Sequence, residues 1–149
     1  MDRSALPPAL QDRLLGPLHV EALLLADEAR AYFDAAGRHE RGRLEPVARV
    51  AFSCESLKLT TRLMHVLGWL LGQRAGDAGE MGARSSAARP LAEAPASSDD
   101  VLAMLPETAR SLIEASIDLH RRVARLVPAP EAAIASPARS MLARLSAAF

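Results

Sequence analysis

The sequence predicts an all-α fold, an antiparallel up-down-up three-helix bundle with a long loop between helices two and three. Three observations carry that expectation. Apolar residues recur at alternating steps of three and four in three long segments, the spacing of one helical face. Half the residues are hydrophobic but only 3% are aromatic, so the core must come from Leu, Val, Ile, Met and Ala, a composition that favours helices over sheets. Prolines and clustered glycines punctuate the chain between the periodic segments, at Gly16-Pro17, Gly37, Pro46, Gly76 to Pro95, Pro106 and Pro128. A chain of 149 residues fits one domain. The expected organisation is a flexible lead-in over 1–16, the bundle over 17–127 with its loop at about 76–98, and a flexible or short-helical tail over 128–149.

Helix one is expected to open at Pro17, because proline suits the first helical turn. Leu18, Ala22, Leu25, Ala29 and Tyr32 form its seam. Gly37 reads as a left-handed cap, followed by a charged connector from Arg38 to Arg43. Helix two opens at Pro46 and runs to about residue 75, roughly 45 Å at 1.5 Å per residue. It carries two apolar seams. One is Val47, Val50, Cys54, Leu57, Thr61, Met64, Gly68 and Leu71; the other is Phe52, Leu59, Leu63, Val66 and Leu70, with Ser56 in register. Two seams imply two packed neighbours.

Residues 76–98 mix Gly76, Gly79, Gly82, Pro90 and Pro95 with serines, and read as a loop or disordered crossover. Ser98 is expected to cap a short helix from Val101 to Leu105. Helix three follows Pro106, with Leu102, Leu105, Ala109, Leu112, Ser116, Leu119, Val123 and Leu126 as a heptad seam widened by Ile113 and Ile117. Pro128 and Pro130 stop it. In the tail, Pro137 to Phe149 could form a marginal helix with Met141, Leu142 and Leu145 on one side.

Formal net charge is zero, from 18 basic and 18 acidic residues. No basic excess exists to hold nucleic acid. The single cysteine, Cys54, makes no intramolecular disulfide and no cysteine cluster; its apolar setting reads as a small core residue. The N-terminus has no signal-like apolar run, and Val66 to Leu71 is far short of the ~20 residues a bilayer requires. The expectation is a soluble, cytoplasmic protein without membrane insertion.

The motif search yields no catalytic, cofactor-binding or metal-ligating residue. Gly76, Gly79 and Gly82 lack the downstream Lys-Ser/Thr of a phosphate loop. His19, His39, His65 and His120 are scattered, and no Glu-x-x-His motif supplies a helical metal site. Asp27, Glu28 and Asp34 read as the wet face of helix one. What remains is a polar seam on helix two: Glu55, Lys58, Arg62, His65 and Trp69, at steps of three, four, three and four, therefore on one face. Lys58 and Arg62 are like charges one turn apart, a repulsion that an acidic partner would relieve, and tryptophan and arginine dominate interface hot spots. These five are the candidate partner-binding residues, against the plainer reading of a solvated face with weak ion pairs. Trp69 reads equally well as core.

Glu55-Ser56-x-Lys58-Leu59-Thr60-Thr61-Arg62-Leu63-Met64, then Trp69-Leu70-Leu71, Arg74-Ala75 and Gly79-Glu80-Met81, resembles the core motif of the regulator of CtrA degradation (RcdA) family of alphaproteobacteria. The likeness spans about residues 18–127 and includes Glu28, Ala29, Tyr32 and Phe33 in helix one, and Leu105-Pro106-Glu107, Leu119-His120 and Arg125-Leu126 in helix three. It implies a non-enzymatic, dimeric adaptor that helps the ClpXP protease receive cell-cycle regulators as cargo, together with a priming response regulator, at times concentrated at a cell pole. It implies no catalytic residue and no cofactor. Two readings stand beside it: a structural, self-associating bundle without a proteolytic role, and a small-molecule or metal-binding bundle enzyme. The apolar ending Ala147-Ala148-Phe149 also looks like a tag read by such proteases.

Overall fold

The computed structural model describes residues 8–77 and 90–127. All regular structure there is helical: α1 (Pro8–Asp34), α2 (Ala36–Gly42), α3 (Pro46–Asp77), α4 (Asp99–Leu102) and α5 (Glu107–Leu126). The three long helices α1, α3 and α5 pack pairwise around one core. Ala22, Leu25, Ala29 and Tyr32 enter it from α1, Phe52, Leu59, Leu63, Val66 and Leu70 from α3, and Ala109, Leu112, Ile113, Leu119 and Val123 from α5. Leu102 and Leu105 close it at the turn before α5.

Helix α1 begins at Pro8, so Pro17 lies inside it rather than opening it. Proline there removes the N–H that would bond the Arg13 carbonyl, and its ring normally clashes with the Cβ of the residue before it. Residue 16 is glycine, which has no Cβ, and open space surrounds it. The extra turns also bring Leu15 into the core, which offsets the lost bond.

The stretch expected to be a cap and connector is helix α2. Gly37 is not a left-handed cap but a buried helical residue. Its place is fixed by close approach: a Cβ there would meet the Tyr32 carbonyl oxygen at 2.9 Å and the Tyr32 and Phe52 rings at 3.2 and 3.4 Å. Those rings belong to an aromatic corner. Phe33 stacks edge-on against Tyr32 at 5.0 Å and against Phe52 at 5.4 Å between centroids. Gly37→Ala is expected to cost about 1–3 kcal/mol, the range for overpacking a tight site, measured as a lower thermal midpoint with helicity intact.

Tyr32 donates its hydroxyl hydrogen to the Glu40 carboxylate. Burial, then the bond to Glu40 and the charge of Glu40, push the phenol well above its ordinary 10.0, while the Ala109 backbone works weakly the other way. The folded state therefore favours the protonated phenol. Its stabilising contribution is complete below pH 10 and is lost as pH climbs above that. Tyr32 is the only tyrosine, so tyrosinate absorbance should rise only well above pH 10 and together with unfolding. Tyr32→Phe should flatten that alkaline loss of stability.

Residue pairings set the helix directions. Tyr32, late in α1, touches Phe52, early in α3, and faces Ala109, early in α5. Glu21, earlier in α1, pairs with Arg122, late in α5. Arg62 in mid-α3 reaches Ser116 in mid-α5. Hence α3 and α5 run parallel to each other and antiparallel to α1. The expected up-down-up order is corrected to up-down-down. A parallel pair cannot be joined by a tight turn; the chain must return along the bundle, which is what residues 90–98 do.

Side-chain burial on α3 also corrects the expected seams. Phe52, Leu59, Leu63, Val66 and Leu70 are buried as anticipated, but the other apolar seam is the solvent-facing back of the helix. Val47 is 72% exposed, Leu57 68% and Met64 67%. Cys54 is exposed on that face and not a core residue. In its place the polar seam turns inward.

Candidate functional site

Glu55 and Arg62 are each only 1% exposed and Trp69, further along α3, is buried as well, while Lys58 and His65 are half-buried. The solvated docking face expected from the spacing is thus an interior stripe in this chain. Charges survive burial only when paired and hydrogen-bonded, and here the partners come from three directions. Arg62 donates to the Pro95 carbonyl at 2.8 Å, to Ser97 Oγ at 2.6 Å and to Ser116 Oγ at 3.3 Å. Ser97 Oγ in turn donates to the Glu55 carboxylate, so one hydroxyl relays between the two charges. Lys58 Nζ lies 2.7 Å from the other Glu55 oxygen and donates to the Ala96 carbonyl at 2.8 Å. Ser116 hands its own hydrogen to the Ile113 carbonyl at 2.6 Å.

Desolvation lowers the Arg62 pKa, and the charge of Glu55 opposes that. Arginine stays charged regardless, because its ordinary pKa lies far above neutrality. The cluster is therefore a buried ion pair bridged by a serine.

Four of these bonds reach one extended segment, through Pro95, Ala96 and Ser97. Residues 90–98 lie over the α3–α5 groove as a strap, with Leu91 packed against the core. Ala92, Pro95 and Ala96 each present a backbone carbonyl to a helix side chain, the first to His120 Nε2 at 3.0 Å. A carbonyl only accepts, so His120 carries its hydrogen on Nε2. The part of the expected 76–98 loop that is described is thus held in place; Asp77 belongs to α3 and 78–89 lies outside the described residues.

The remaining motif residues do other work. Thr60 and Thr61 donate to the Ser56 and Leu57 carbonyls, at 3.0 and 2.9 Å, a local bond that satisfies a hydroxyl on a helix. Glu80 and Met81 lie outside the described residues. His65 Nδ1 and Trp69 Nε1 are buried with no partner among the described residues.

The five seam residues share one stripe of α3, and sequence reasoning missed Ser97 and Ser116 as partners of Glu55 and Arg62. One signal was present: Ser116 interrupts an otherwise apolar heptad seam, and a hydroxyl in that position needs a mate. Elsewhere, an open groove between α1 and α5 is lined by Pro17, Val20, Leu24, Leu25 and Ala115, with Glu21 and Glu28 as its polar groups. Among the described residues no group of three or more His, Cys, Asp or Glu side chains could hold a metal ion. No helix there is long and apolar enough to cross a membrane.

The chain belongs to the family described as "Protein of unknown function (DUF1465)", whose model matches residues 7–149. Among solved structures it is similar to the crystal structure of RcdA from Caulobacter crescentus CB15. The two are 36% identical, the match covers 76% of this chain and 87% of that one, and the TM-score is 0.63. The RcdA resemblance read from the α3 motif accordingly holds across the fold. No curated protein matches the sequence.

Proposed function

We propose that this protein is a non-enzymatic adaptor in regulated proteolysis, presenting cell-cycle cargo to the ClpXP protease in company with a priming response regulator, in the cytoplasm. The observation that carries this reading is the match to RcdA over most of both chains. Glu55, Lys58, Arg62, His65 and Trp69 take part indirectly: they set the position of the strap and of the surfaces beside it, and the strap's outer face meets the partner. Affinity capture from the native cytoplasm tests this. Wild type should retain the response regulator and protease cargo. A preparation of folded protein that retains neither ends the adaptor reading.

The back of α3 supports a homodimer. Val47, Val50, Leu57, Met64 and Leu71 are large, exposed and spaced as one heptad stripe, the pattern of a helix–helix seam. Exposed apolar stripes of that length mark interaction sites. This feature alone is also what the second reading, a self-associating structural bundle, would use. The two readings separate in the capture experiment, because a purely structural bundle brings down only itself.

A further inference from the structure

We propose that the open groove between α1 and α5 is the docking site of the chain's own residues 138–149, which fold into it as a fourth helix. The proposal stands apart from the adaptor reading and from the seam on the back of α3.

The groove is apolar along its floor and acidic at its rims. Pro17, Val20 and Leu24 of α1 and Ala115 of α5 line it, with Glu21 and Glu28 as its polar groups. Val20 is 55% exposed and Leu24 64%, so most of that apolar surface meets water. Asp118, one turn beyond Ala115 on the same side of α5, is tied to Arg122, which also holds Glu21. The acids Glu21, Glu28 and Asp118 against the base Arg122 leave two negative charges over. The ligand that fits is a short amphipathic helix, apolar along one side, with two positive charges at the edges of that side.

Residues 138–149 carry that pattern. At about 100° per residue, Met141, Leu142, Leu145 and Phe149 fall within an arc of about 100°. Arg139 and Arg144 lie outside it, one at each edge, and the segment holds no acidic residue. Position and length agree as well. Glu21 pairs with Arg122, so the end of α5 at Leu126 stands level with Pro17 in the antiparallel α1. The chain therefore leaves α5 at the mouth of the groove. From Pro17 to Glu28 the groove is roughly 16 Å long, and a helix over 138–149 is roughly 18 Å. Residues 128–137 reach up to roughly 33 Å, ample for turning onto a helix axis about 10 Å away. The returning helix runs antiparallel to α5 and closes a four-helix arrangement. Docked, it covers Val20 and Leu24 and withholds the groove from any other basic amphipathic helix.

A helix this short is marginal in water by itself, so the ordering of residues 138–149 and their docking are one event, and hydrogen exchange in the full chain reads it. The expected result is exchange of the 138–149 amides at least tenfold slower than in the same segment as a free peptide, at any protein concentration. Leu24→Glu, at an exposed position, should return the segment to within about twofold of the peptide while α3 and α5 keep their protection. Arg139→Glu with Arg144→Glu, made outside the bundle, should do the same. Peptide-like exchange in the wild type overturns the proposal, as does protection that survives either variant unchanged. Protection that fades on dilution overturns it too, because a second copy then supplies the helix. If Leu24→Glu disturbs α1 itself, the arginine variant decides by the same criterion.

Discussion

Arg62→Ala is expected to lower folding stability by about 3–5 kcal/mol, the cost of removing one member of a buried ion pair and stranding the other. Glu55 would keep its burial, lose the guanidinium charge that Ser97 relays to it, and retain Lys58 as its only charged partner. Three donated bonds vanish together, those to Pro95, Ser97 and Ser116, so the strap loses its centre. Denaturant unfolding followed by Trp69, the sole tryptophan and two turns along the same stripe, measures the loss. The informative comparison is the double variant Glu55→Gln with Arg62→Met. Replacing a buried pair by neutral groups of similar volume is often far less costly than breaking it, so the double variant should recover a large part of the loss. If the single and double variants are equally unstable, the packing of the arginine stem matters and the ion pair does not.

Leu57→Glu with Met64→Glu is expected to act in the opposite sense on a different observable. Both side chains are about two-thirds exposed on the back of α3, so the folded monomer has little to lose. On the proposed dimer they would sit in the seam. Burying one large aliphatic side chain is worth about 1.5 kcal/mol or more, and a symmetric seam holds two copies of each, so four lost anchors weaken association roughly 10,000-fold, before the added cost of facing carboxylates. Sedimentation should show a shift from dimer to monomer at micromolar concentration with helicity unchanged. A wild type that is already monomeric under those conditions removes this face from the dimer model.

These two variants sit on one helix, and their contrast explains what the sequence revealed and what it hid. The existence of α1, α3 and α5 was legible, because each carries a long apolar repeat. The α5 seam was legible residue by residue: Leu102, Leu105, Ala109, Leu112, Ser116, Leu119 and Val123 are all buried, and only Leu126 escapes. Ile113 and Ile117 widen that seam, and the opposite side of α5 is mostly charged, so one orientation is possible. Helix α3 gives no such guidance. Apolar residues line its front and its back, and the polar residues between read as a wet side. What decides the matter is remote in sequence. Ser97 and Ser116 lie 42 and 61 positions from Glu55, the first separation being that of its bonded partner. No local pattern reports that a strap will arrive to satisfy a glutamate and an arginine. The helix directions were hidden for a related reason: the segment between α3 and α5 reads as a simple return, whereas residues 90–98 span the groove.

The parallel course of α3 and α5 gives the bundle an electrical direction. Backbone dipoles of antiparallel helices cancel, but two helices pointing one way and one the other leave the moment of one helix, roughly half an elementary charge at each pole. The negative pole gathers the ends of α3 and α5, where Arg74 and Arg125 occupy the last turns, and the positive pole gathers their starts, where Glu107 stands in the first turn of α5. Each side chain offsets the pole it sits on. Salt limits what is left to about 8 Å at physiological ionic strength, too short to draw a partner from afar but long enough to tell a docked one which end is which.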